Sequence, residues 1–315
     1  MPEIEIVPLG DEHLDAAAQL LADRHARHRE AEPLLPEVDD FRAHVEADLG
    51  QAGAAGVVAV RGDGEVVAYL IGRLEDDPIV EDRRGFVDFA GCAASDPEAL
   101  RDLYAALAVR WVAAGCPRHV VAVPATDEPL IDAFLRLAFG VQFMWAVRET
   151  APMKRVDAGV EIREGSPEDL DEVARFDQGL MELQAGSPSF SGIDVPDLNQ
   201  FREDWSDTWD DPELYRHFVA ERDGRVVGHA LLYSRPSGDL RVPPRNIDLA
   251  HAFTVPDARR GGVGLALTGH VLTWAHEHGY RSMTTDWRTV NLLSSRFWPR
   301  RGFRPQYFRL YRRVP

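Results

Sequence analysis

Cysteine and long apolar runs are scarce in this sequence, and each scarcity excludes a class of protein. The 315 residues contain two cysteines, Cys92 and Cys116, too few for the disulfide framework of a small secreted domain, so buried reduced thiols are expected. No apolar run approaches the ~20 residues that a membrane span needs, and the N-terminus lacks the apolar segment of a signal peptide. These absences predict a cytoplasmic protein with no membrane partner.

Positive charge is also in short supply. Asp and Glu number 52 against 35 Lys and Arg, which gives a formal net charge of -17 at pH 7. Binding to nucleic acid needs clustered positive charge to contact phosphates, so no nucleic-acid partner is expected. Lysine is represented by Lys154 alone, and its surroundings do not form the glycine-lysine signature of a P-loop.

The chain does contain an internal repeat. Its length fits about two domains, and the two halves can be laid over one another. Residues 4–6 (Ile-Glu-Ile) match residues 160–162 (Val-Glu-Ile). The Asp-Gly turn at 63–64, flanked by apolar strands, matches the Asp-Gly turn at 223–224, and both predict β-hairpins. The sequence therefore predicts a duplicated α/β domain.

A glycine-bearing turn stands out in the second half. Arg259-Arg260-Gly261-Gly262-Val263-Gly264 follows a predicted strand over 247–255 and precedes a predicted helix, in which apolar residues from Leu267 to Ala275 recur at the spacing of one buried face. Such a turn presents backbone N–H groups and the positive end of the helix dipole to one point. This arrangement is suited to bind a phosphate or pyrophosphate.

A second motif follows the helix. Within residues 291–303 it places Asn291, Ser294, Phe297, Trp298, Gly302 and Phe303. The two motifs together resemble the GNAT superfamily, N-acyltransferases that use acetyl-CoA. That family's patterns are R/Q-x-x-G-x-G/A and, further on, N-x-x-A-x-x-L/F-Y-x-x-x-G-F. Ser294 replaces the small Ala of the family pattern, and Trp298 replaces its Tyr.

The resemblance, which covers roughly residues 160 to 315, implies a fold, a co-substrate and a set of contact residues. The implied fold is α/β with mixed sheets, built as two tandem GNAT-type domains over 1–151 and 160–315, each a twisted central sheet flanked by helices. Enzymes such as mycothiol synthase share this arrangement. The implied co-substrate is acetyl-CoA, with no metal. The residues implied for coenzyme contact are Phe253, Thr254, Val255, Arg259, Arg260, Gly261, Gly262, Val263, Gly264, Asn291, Ser294 and Trp298.

The first half differs at the place of the glycine turn. There it reads Ser95-Asp96-Pro97-Glu98, without a glycine and with two carboxylates beside a predicted helix N-terminus. The carboxylates suit the helix dipole but would repel a pyrophosphate. We therefore expect the first domain to have lost coenzyme binding.

Acyl transfer from a thioester to an amine needs a group that takes the amine proton. Asp248 is the first candidate, because it lies eleven residues before Arg259, where the histone-acetylating branch of the family carries a catalytic Glu. Its alternative role is to pair with a buried Arg or backbone amide, since Asp88 occupies the equivalent place in the first half. His251 is the second candidate, although it points to the opposite face of the strand unless a bulge intervenes. A path through water is the third.

The replacement at Trp298 leaves the acid open. In many relatives a Tyr at that place protonates the leaving thiolate, and an indole N–H is too weak an acid to do so. The role could pass to Tyr307, Tyr311, Ser295 or solvent, or the second domain could be inactive.

Acidic residues cluster before the second hairpin. They are Asp194, Asp197, Glu203, Asp204, Asp207, Asp210, Asp211 and Glu213, and they are interleaved with Phe201, Trp205 and Trp209 at helical spacing. One interpretation is an amphipathic helix with a solvated face. The other is an acidic, aromatic-lined mouth for a cationic amine. The predicted function is accordingly acetyl-CoA-dependent N-acetylation of a small, cationic amine. The alternative is a non-catalytic acyl-CoA-binding protein whose acidic face recruits another protein.

Overall fold

The computed structural model of the protein describes residues 4–76, 83–236 and 238–314. Within them the strands are β1 (Ile4–Pro8), β2 (Ala54–Arg61), β3 (Val66–Asp76), β4 (Arg83–Val87), β5 (Cys92–Ala94), β6 (Arg118–Pro124), β7 (Gly140–Glu149), β8 (Glu161–Glu164), β9 (Tyr215–Arg222), β10 (Arg225–Tyr233), β11 (Asn246–Thr254), β12 (Ser282–Arg288) and β13 (Arg304–Arg313). The α-helices are α1 (Leu14–Ala31), α2 (Phe41–Leu49), α3 (Ala99–Ala113), α4 (Glu128–Leu135), α5 (Leu170–Ala185), α6 (Leu198–Asp210), α7 (Val263–Glu277) and α8 (Ser294–Phe297). The predicted α/β class is confirmed. None of the helices in these ranges combines the length and apolar character needed to cross a membrane.

The described residues fall into two compact units. The first consists of Met1–Trp145 with Pro305–Pro315, and the second of Ala146–Arg304. These bounds differ from the predicted domains, 1–151 and 160–315, chiefly at the C-terminus. The physical reason is strand pairing, because β13 hydrogen-bonds antiparallel to β6. The last strand of the chain therefore belongs to the sheet of the first unit.

In the first unit the strands follow the order β1-β2-β3-β4-β6-β13, and β5 also pairs with β3. Helix α3 buries Leu100, Leu103, Leu107 and Trp111 in the core of this unit, as the apolar spacing predicts. Gly85 lets the Trp111 indole approach the sheet, since a Cβ on that glycine would lie 2.4 Å from the ring.

In the second unit the strands follow the order β12-β11-β10-β9-β8. The β9–β10 hairpin turns at Asp223 and Gly224, with φ of 51° and 74°, the two positive values that a type I′ turn requires. On β9, Phe218 contacts Trp274 of α7, whereas the neighbouring His217 contacts Trp209 of α6. Because successive side chains of a strand alternate, α6 and α7 cover opposite faces of this sheet.

The strands β11 and β12 separate after a short stretch of parallel pairing. Their pairing ends where Asp248 lies opposite Thr284, and within the described ranges it does not resume. On its other edge β11 stays paired with β10 as far as Thr254. The second half of β11 therefore has one edge without a strand partner, beside an opening in the sheet.

A β-bulge interrupts β11 at the same level. Leu231 lies opposite His251, but the next residue, Leu232, lies opposite Leu249, so Ala250 is the extra residue. A bulge shifts the alternation of side chains by one. Because of this shift, the side chain of His251 lies on the same face of the sheet as that of Asp248.

Candidate active site

A cleft of about 1000 Å³ opens in the second unit where β11 and β12 separate. Leu180 and Leu183 of α5 line one part of it, and Leu267 and Val271 of α7 line another. The turn before α7 and residues 291–301 complete the wall. A concave, mainly apolar site with a few charged groups is typical of small-molecule binding.

The cleft brings the two sequence motifs together. The predicted coenzyme residues that line it are Phe253, Thr254, Arg259, Arg260, Gly262, Val263, Gly264, Asn291, Ser294 and Trp298. Val255 and Gly261 are next to lining residues but do not line the cleft themselves.

The N-terminus of α7 lies at one end of the cleft. Gly262 immediately precedes the first turn and has φ of +86°, a left-handed backbone that favours glycine. Arg260 also adopts a left-handed backbone, with φ of +65°. No side chain of the described residues caps the helix, so the N–H groups of its first turn are left for another acceptor. Together with the helix dipole they make this end of the cleft suited to an anion, as the glycine turn predicts.

The arginines of this end have different roles. Arg259 folds back so that its Nε donates to the carbonyl oxygen of Thr254 at 2.9 Å, with the guanidinium 5.3 Å from the centre of the Phe253 ring. It therefore ties the turn to the end of β11, and burial lowers its pKa. Arg260 and Arg300 are exposed on the rim of the cleft, where a guanidinium can pair with phosphate.

At the end of β11, the three predicted residues, Phe253, Thr254 and Val255, differ in their contacts. The N–H of Val255 donates to the carbonyl oxygen of Val227 at 3.0 Å and is therefore used inside the sheet. Because N–H groups alternate along a strand, the N–H of Thr254 points to the opposite edge, which is the open one. Phe253 stacks on Phe176 of α5, with ring centres 5.4 Å apart. Thr254 is thus the residue of this strand end that offers a donor to the cleft.

In the second motif, Asn291 has a structural task. Its Oδ1 accepts the N–H groups of Leu293 at 3.1 Å and Ser294 at 3.4 Å, which stabilises the start of α8. Trp298 is buried and meets the rings of Phe297 and Phe303 edge to face. Its indole fills the wall of the cleft where the family pattern has a Tyr.

The other candidate acids are not equivalent. Tyr307 and Tyr311 belong to the first unit. There the Tyr307 ring is fully buried, 4.9 Å from the rings of His28 and Phe89. Ser295 lies in α8, beside the cleft residue Ser294.

Asp248 is held in a buried network. Its Oδ2 accepts from Arg235 at 2.6 Å, and its Oδ1 accepts from the hydroxyl of Thr284 at 2.7 Å. The equivalent residue of the first unit, Asp88, likewise pairs with Arg73 at 3.1 Å. Both oxygens of the Asp248 carboxylate are therefore already engaged by donors of the protein. The duplication of the pairing in a half that lacks the glycine turn favours a structural role.

Replacing Asp248 with asparagine is therefore expected to affect stability more than catalysis. Asparagine retains the size and one acceptor but removes the charge that balances Arg235, and we expect a loss of about 1–3 kcal/mol in the free energy of unfolding. The value of kcat should fall less than about tenfold. Urea denaturation and initial rates on the same preparation measure both. A normal melting curve together with a loss of about 10²-fold or more in kcat would identify Asp248 as the base.

His251 lies beyond the bulge and faces α5 and α6. Its Nε2 is 3.7 Å from Oδ1 of Asp177, and its ring meets Trp205 edge to face at 5.1 Å. The indole Nε1 of Trp205 donates to the other oxygen of Asp177 at 3.0 Å, which orients the carboxylate. Burial lowers the pKa of His251, and the Asp177 carboxylate partly opposes that effect. His251 is thus a neutral imidazole at pH 7 with a carboxylate beside one ring nitrogen.

The aromatic residues of α6 do not line an opening. Phe201 and Trp205 are buried in the core of the second unit, and Trp209 stacks on His217 with ring centres 3.5 Å apart. Glu203, Asp204, Asp207 and Asp210 occupy the exposed face of the helix. Of the two interpretations, these contacts favour the amphipathic helix with a solvated face, because the rings are used to pack α6 on the sheet. The carboxylates of the helix face solvent.

In the first unit, the region that corresponds to the cleft is occupied by side chains of the protein. Arg24 of α1 is fully buried, and its guanidinium donates to the carbonyl oxygens of Phe89 and Cys92, on the segment that corresponds to β11 in the repeat. At the start of α3, Glu98 pairs with Arg101 and with Arg136. A protein side chain and a carboxylate thus stand where the second unit has an open strand edge and a glycine. No group of three or more His, Cys, Asp or Glu among the described residues could hold a metal ion.

Comparison with sequences of known proteins agrees with the motifs. Residues 179–303 match the Acetyltransferase (GNAT) family. A stretch of 87 residues is 30% identical to N-acetyltransferase 8 of Homo sapiens, and it represents 28% of this chain and 37% of that protein. The chain therefore matches little more than a third of this relative's length.

Solved structures of other proteins share the fold of the whole chain. The GCN5-related N-acetyltransferase from Sphaerobacter thermophilus superposes with a TM-score of 0.62 at 17% identity, covering 99% of this chain and 96% of that one. A tandem GNAT protein from the clavulanic acid biosynthesis pathway superposes with a TM-score of 0.51 at 15% identity, covering 99% of each chain. At such identities the likeness shows the fold, and it confirms the predicted tandem arrangement. Residues 179–303 thus match a GNAT acetyltransferase domain, and the chain as a whole shares the fold of a tandem GNAT protein.

Proposed function

We propose that the second unit transfers an acetyl group from acetyl-CoA to the nitrogen of a small, cationic amine. The observation that supports it most is the cleft itself, which extends from the uncapped N-terminus of α7 to the open edge of β11. A pyrophosphate at Gly262 would meet backbone N–H groups and the guanidinium of Arg260. The apolar wall between α5 and α7 suits the uncharged arm of the coenzyme.

The thioester carbonyl needs a donor as negative charge develops on its oxygen. We assign this to the backbone N–H of Thr254, which faces the open edge of β11. The amine needs a base. We assign His251, because its ring is neutral, Asp248 is already paired, and the next residue, Ala252, lines the cleft, whereas His251 lies buried directly behind that lining. Asp177 beside His251 would stabilise the imidazolium that forms when His251 takes the amine proton.

A non-catalytic acyl-CoA binder is the second candidate, and Trp298 is the observation that favours it. An indole cannot protonate the thiolate, so this substitution is consistent with lost chemistry. The thiolate is, however, a tolerable leaving group without an acid, and His251 carries the transferred proton once the amine has attacked. We therefore favour the enzyme.

The experiment that separates the two candidates is release of free thiol from acetyl-CoA in the presence of a panel of amines. The panel should include diamines, aromatic amines, aminoglycosides and acidic amino acids, with hydrolysis in the absence of amine as the blank. Steady amine-dependent turnover, with the acetylated product identified by mass spectrometry, is expected. Coenzyme binding without turnover for every amine would support the binder instead.

The acidic residues of α6 and its flanks should favour cationic acceptors. Their attraction for an amine is long-range and is screened over about 8 Å at physiological salt. We expect the KM for the best amine to rise with salt while kcat changes little. The combined substitution Asp207→Asn, Asp210→Asn and Asp211→Asn should raise that KM at low salt and flatten its salt dependence. Better turnover of anionic amino acids, or a KM that ignores both changes, would contradict this assignment.

A further inference from the structure

Three histidines on neighbouring strands form a hydrogen-bonded chain inside the second unit. Nδ1 of His217 on β9 lies 3.1 Å from Nε2 of His229 on β10, and Nδ1 of His229 lies 3.2 Å from Nδ1 of His251 on β11. At one end, Nε2 of His217 lies 3.4 Å from the carbonyl oxygen of Thr208. At the other end, Nε2 of His251 faces Oδ1 of Asp177 at 3.7 Å, beyond hydrogen-bonding distance.

The chain is enclosed by α6. The Trp205 ring meets all three imidazoles, with ring centres 6.0, 5.3 and 5.1 Å from those of His217, His229 and His251. Trp209 stacks on His217. All three histidines are buried, and His229 has no exposed surface. Ordered contacts of this kind hold each ring in one orientation.

All three rings are neutral near pH 7. Burial lowers the pKa of His217 to about 4 and that of His229 well below its ordinary value. Burial also lowers the pKa of His251. The charged groups that face the chain are Asp177 of α5, next to His251, and Asp169, which precedes α5 and acts weakly on His217. The two indoles of α6 bring no charge.

A neutral imidazole has one N–H and one lone pair, so the contacts of such a chain are not independent. The carbonyl oxygen of Thr208 can only accept, which places a proton on Nε2 of His217 and leaves its Nδ1 as an acceptor. That Nδ1 must then receive the Nε2–H of His229, whose own Nδ1 in turn receives the Nδ1–H of His251. The lone pair of His251 is thereby placed on Nε2, the atom that faces Asp177.

We propose that His217 and His229 are positioning residues that fix His251 in the tautomer with its proton on Nδ1 and its lone pair on Nε2. The consequence for catalysis rests on the proposed function, in which Nε2 of His251 takes the amine proton. Without the chain, Asp177 would favour the other tautomer, because its carboxylate could then accept an Nε2–H. Nε2 would carry a proton and could not act as the base.

The first test observes the tautomer directly and needs no substrate. The ¹⁵N NMR spectrum of the full chain, labelled with ¹⁵N-histidine, is recorded at neutral pH. The His251 signals are identified as those that disappear from the spectrum of the His251→Gln variant. We expect Nδ1 of His251 to carry the proton and Nε2 to show the downfield shift of an unprotonated ring nitrogen. A protonated Nε2 would overturn the proposal whether or not the protein acetylates amines.

The second test uses two substitutions at the far end of the chain. His217→Phe keeps an aromatic ring against Trp209 but removes the acceptor for His229, whereas His217→Asn supplies an amide oxygen near the place of Nδ1. With the best amine, His217→Phe should lower kcat about 10- to 100-fold and leave the KM for acetyl-CoA nearly unchanged. His217→Asn should restore most of kcat and the wild-type ¹⁵N pattern of His251.

These variants separate positioning from packing. Circular dichroism and melting curves show whether each variant is folded. Equal losses of kcat in the Phe and Asn variants, with the His251 tautomer unchanged in both, would contradict the proposal. If no amine is turned over at all, the proposed function fails, and the tautomer in the wild-type protein still decides the positioning role.

Discussion

Replacing His251 with glutamine is expected to lower kcat for amine acetylation by about 10²- to 10⁴-fold, the usual contribution of a general base. Glutamine retains the approximate length of the side chain and a polar group near the place of Nε2, but it cannot take a proton at neutral pH. The KM for acetyl-CoA should stay nearly constant, because the anion site at α7 is unchanged. Initial rates at saturating amine measure the effect, and Asp248→Asn serves as the matched control. A His251→Gln enzyme with near-normal kcat would exclude His251 as the base.

The same assignment predicts a pH profile. The base must be neutral to accept a proton, so kcat should be lost as pH falls through the pKa of His251. Burial lowers that pKa, which places the acid limb below the ordinary value of about 6.5. Asp177, the charged group that faces His251, opposes the shift, so Asp177→Asn should move the limb to still lower pH. A limb that moves upward in this variant would contradict the arrangement of the two groups.

Replacing Gly262 with aspartate is expected to reduce kcat/KM for acetyl-CoA by about 10²-fold or more. The aspartate would place a carboxylate beside the uncapped N–H groups of α7, where it competes with phosphate for the same donors and repels it. Gly262→Asn is the matched control, because it adds a side chain of equal size at the same left-handed backbone without the charge. We expect the asparagine variant to lose much less. Equal losses in the two variants would assign the effect to backbone strain and remove the case for a phosphate at this helix.

The parts of the fold that could be predicted are those in which a local sequence pattern determines the local structure. The turn at Gly262 is one, since a left-handed backbone before a helix favours glycine, which has no Cβ. The Asp223-Gly224 hairpin and the buried stripe of α3 are others. In each case the residues that carry the signal lie within one or two turns of the structure they specify.

The parts that could not be predicted depend on pairing between strands that are distant in sequence, or on which face of a strand each side chain occupies. The placement of β13 in the first unit results from hydrogen bonds to β6, about 190 residues earlier, and no local pattern reports such a pairing. The bulge at Ala250 shifts the side chains of β11 by one residue, and it decides whether His251 joins His229. Asp177, His217 and His229 were missed for the same reason. The only sequence signal of the two histidines is that they lie, like His251, in predicted strands, and it gains meaning once strand order and register are known.

For Asp248, the spacing and the contacts favour different roles. Its distance from the glycine turn matches that of a catalytic carboxylate in one branch of the family, yet Arg235 and Thr284 occupy both of its oxygens. The repeat also favours a structural role, because Asp88 stands at the same place in the half without the turn.

Calorimetric titration of the full chain with CoA is the most direct measurement of the central claim, that a single acyl-CoA site lies in the second unit. Wild-type protein and His251→Gln should each bind one CoA per chain, because the base does not hold the coenzyme. Gly262→Asp should bind none over the same concentration range. Two sites per chain would show that the first unit, despite Arg24 and Glu98, retains coenzyme binding, and unimpaired binding by Gly262→Asp would show that the coenzyme does not use the N-terminus of α7.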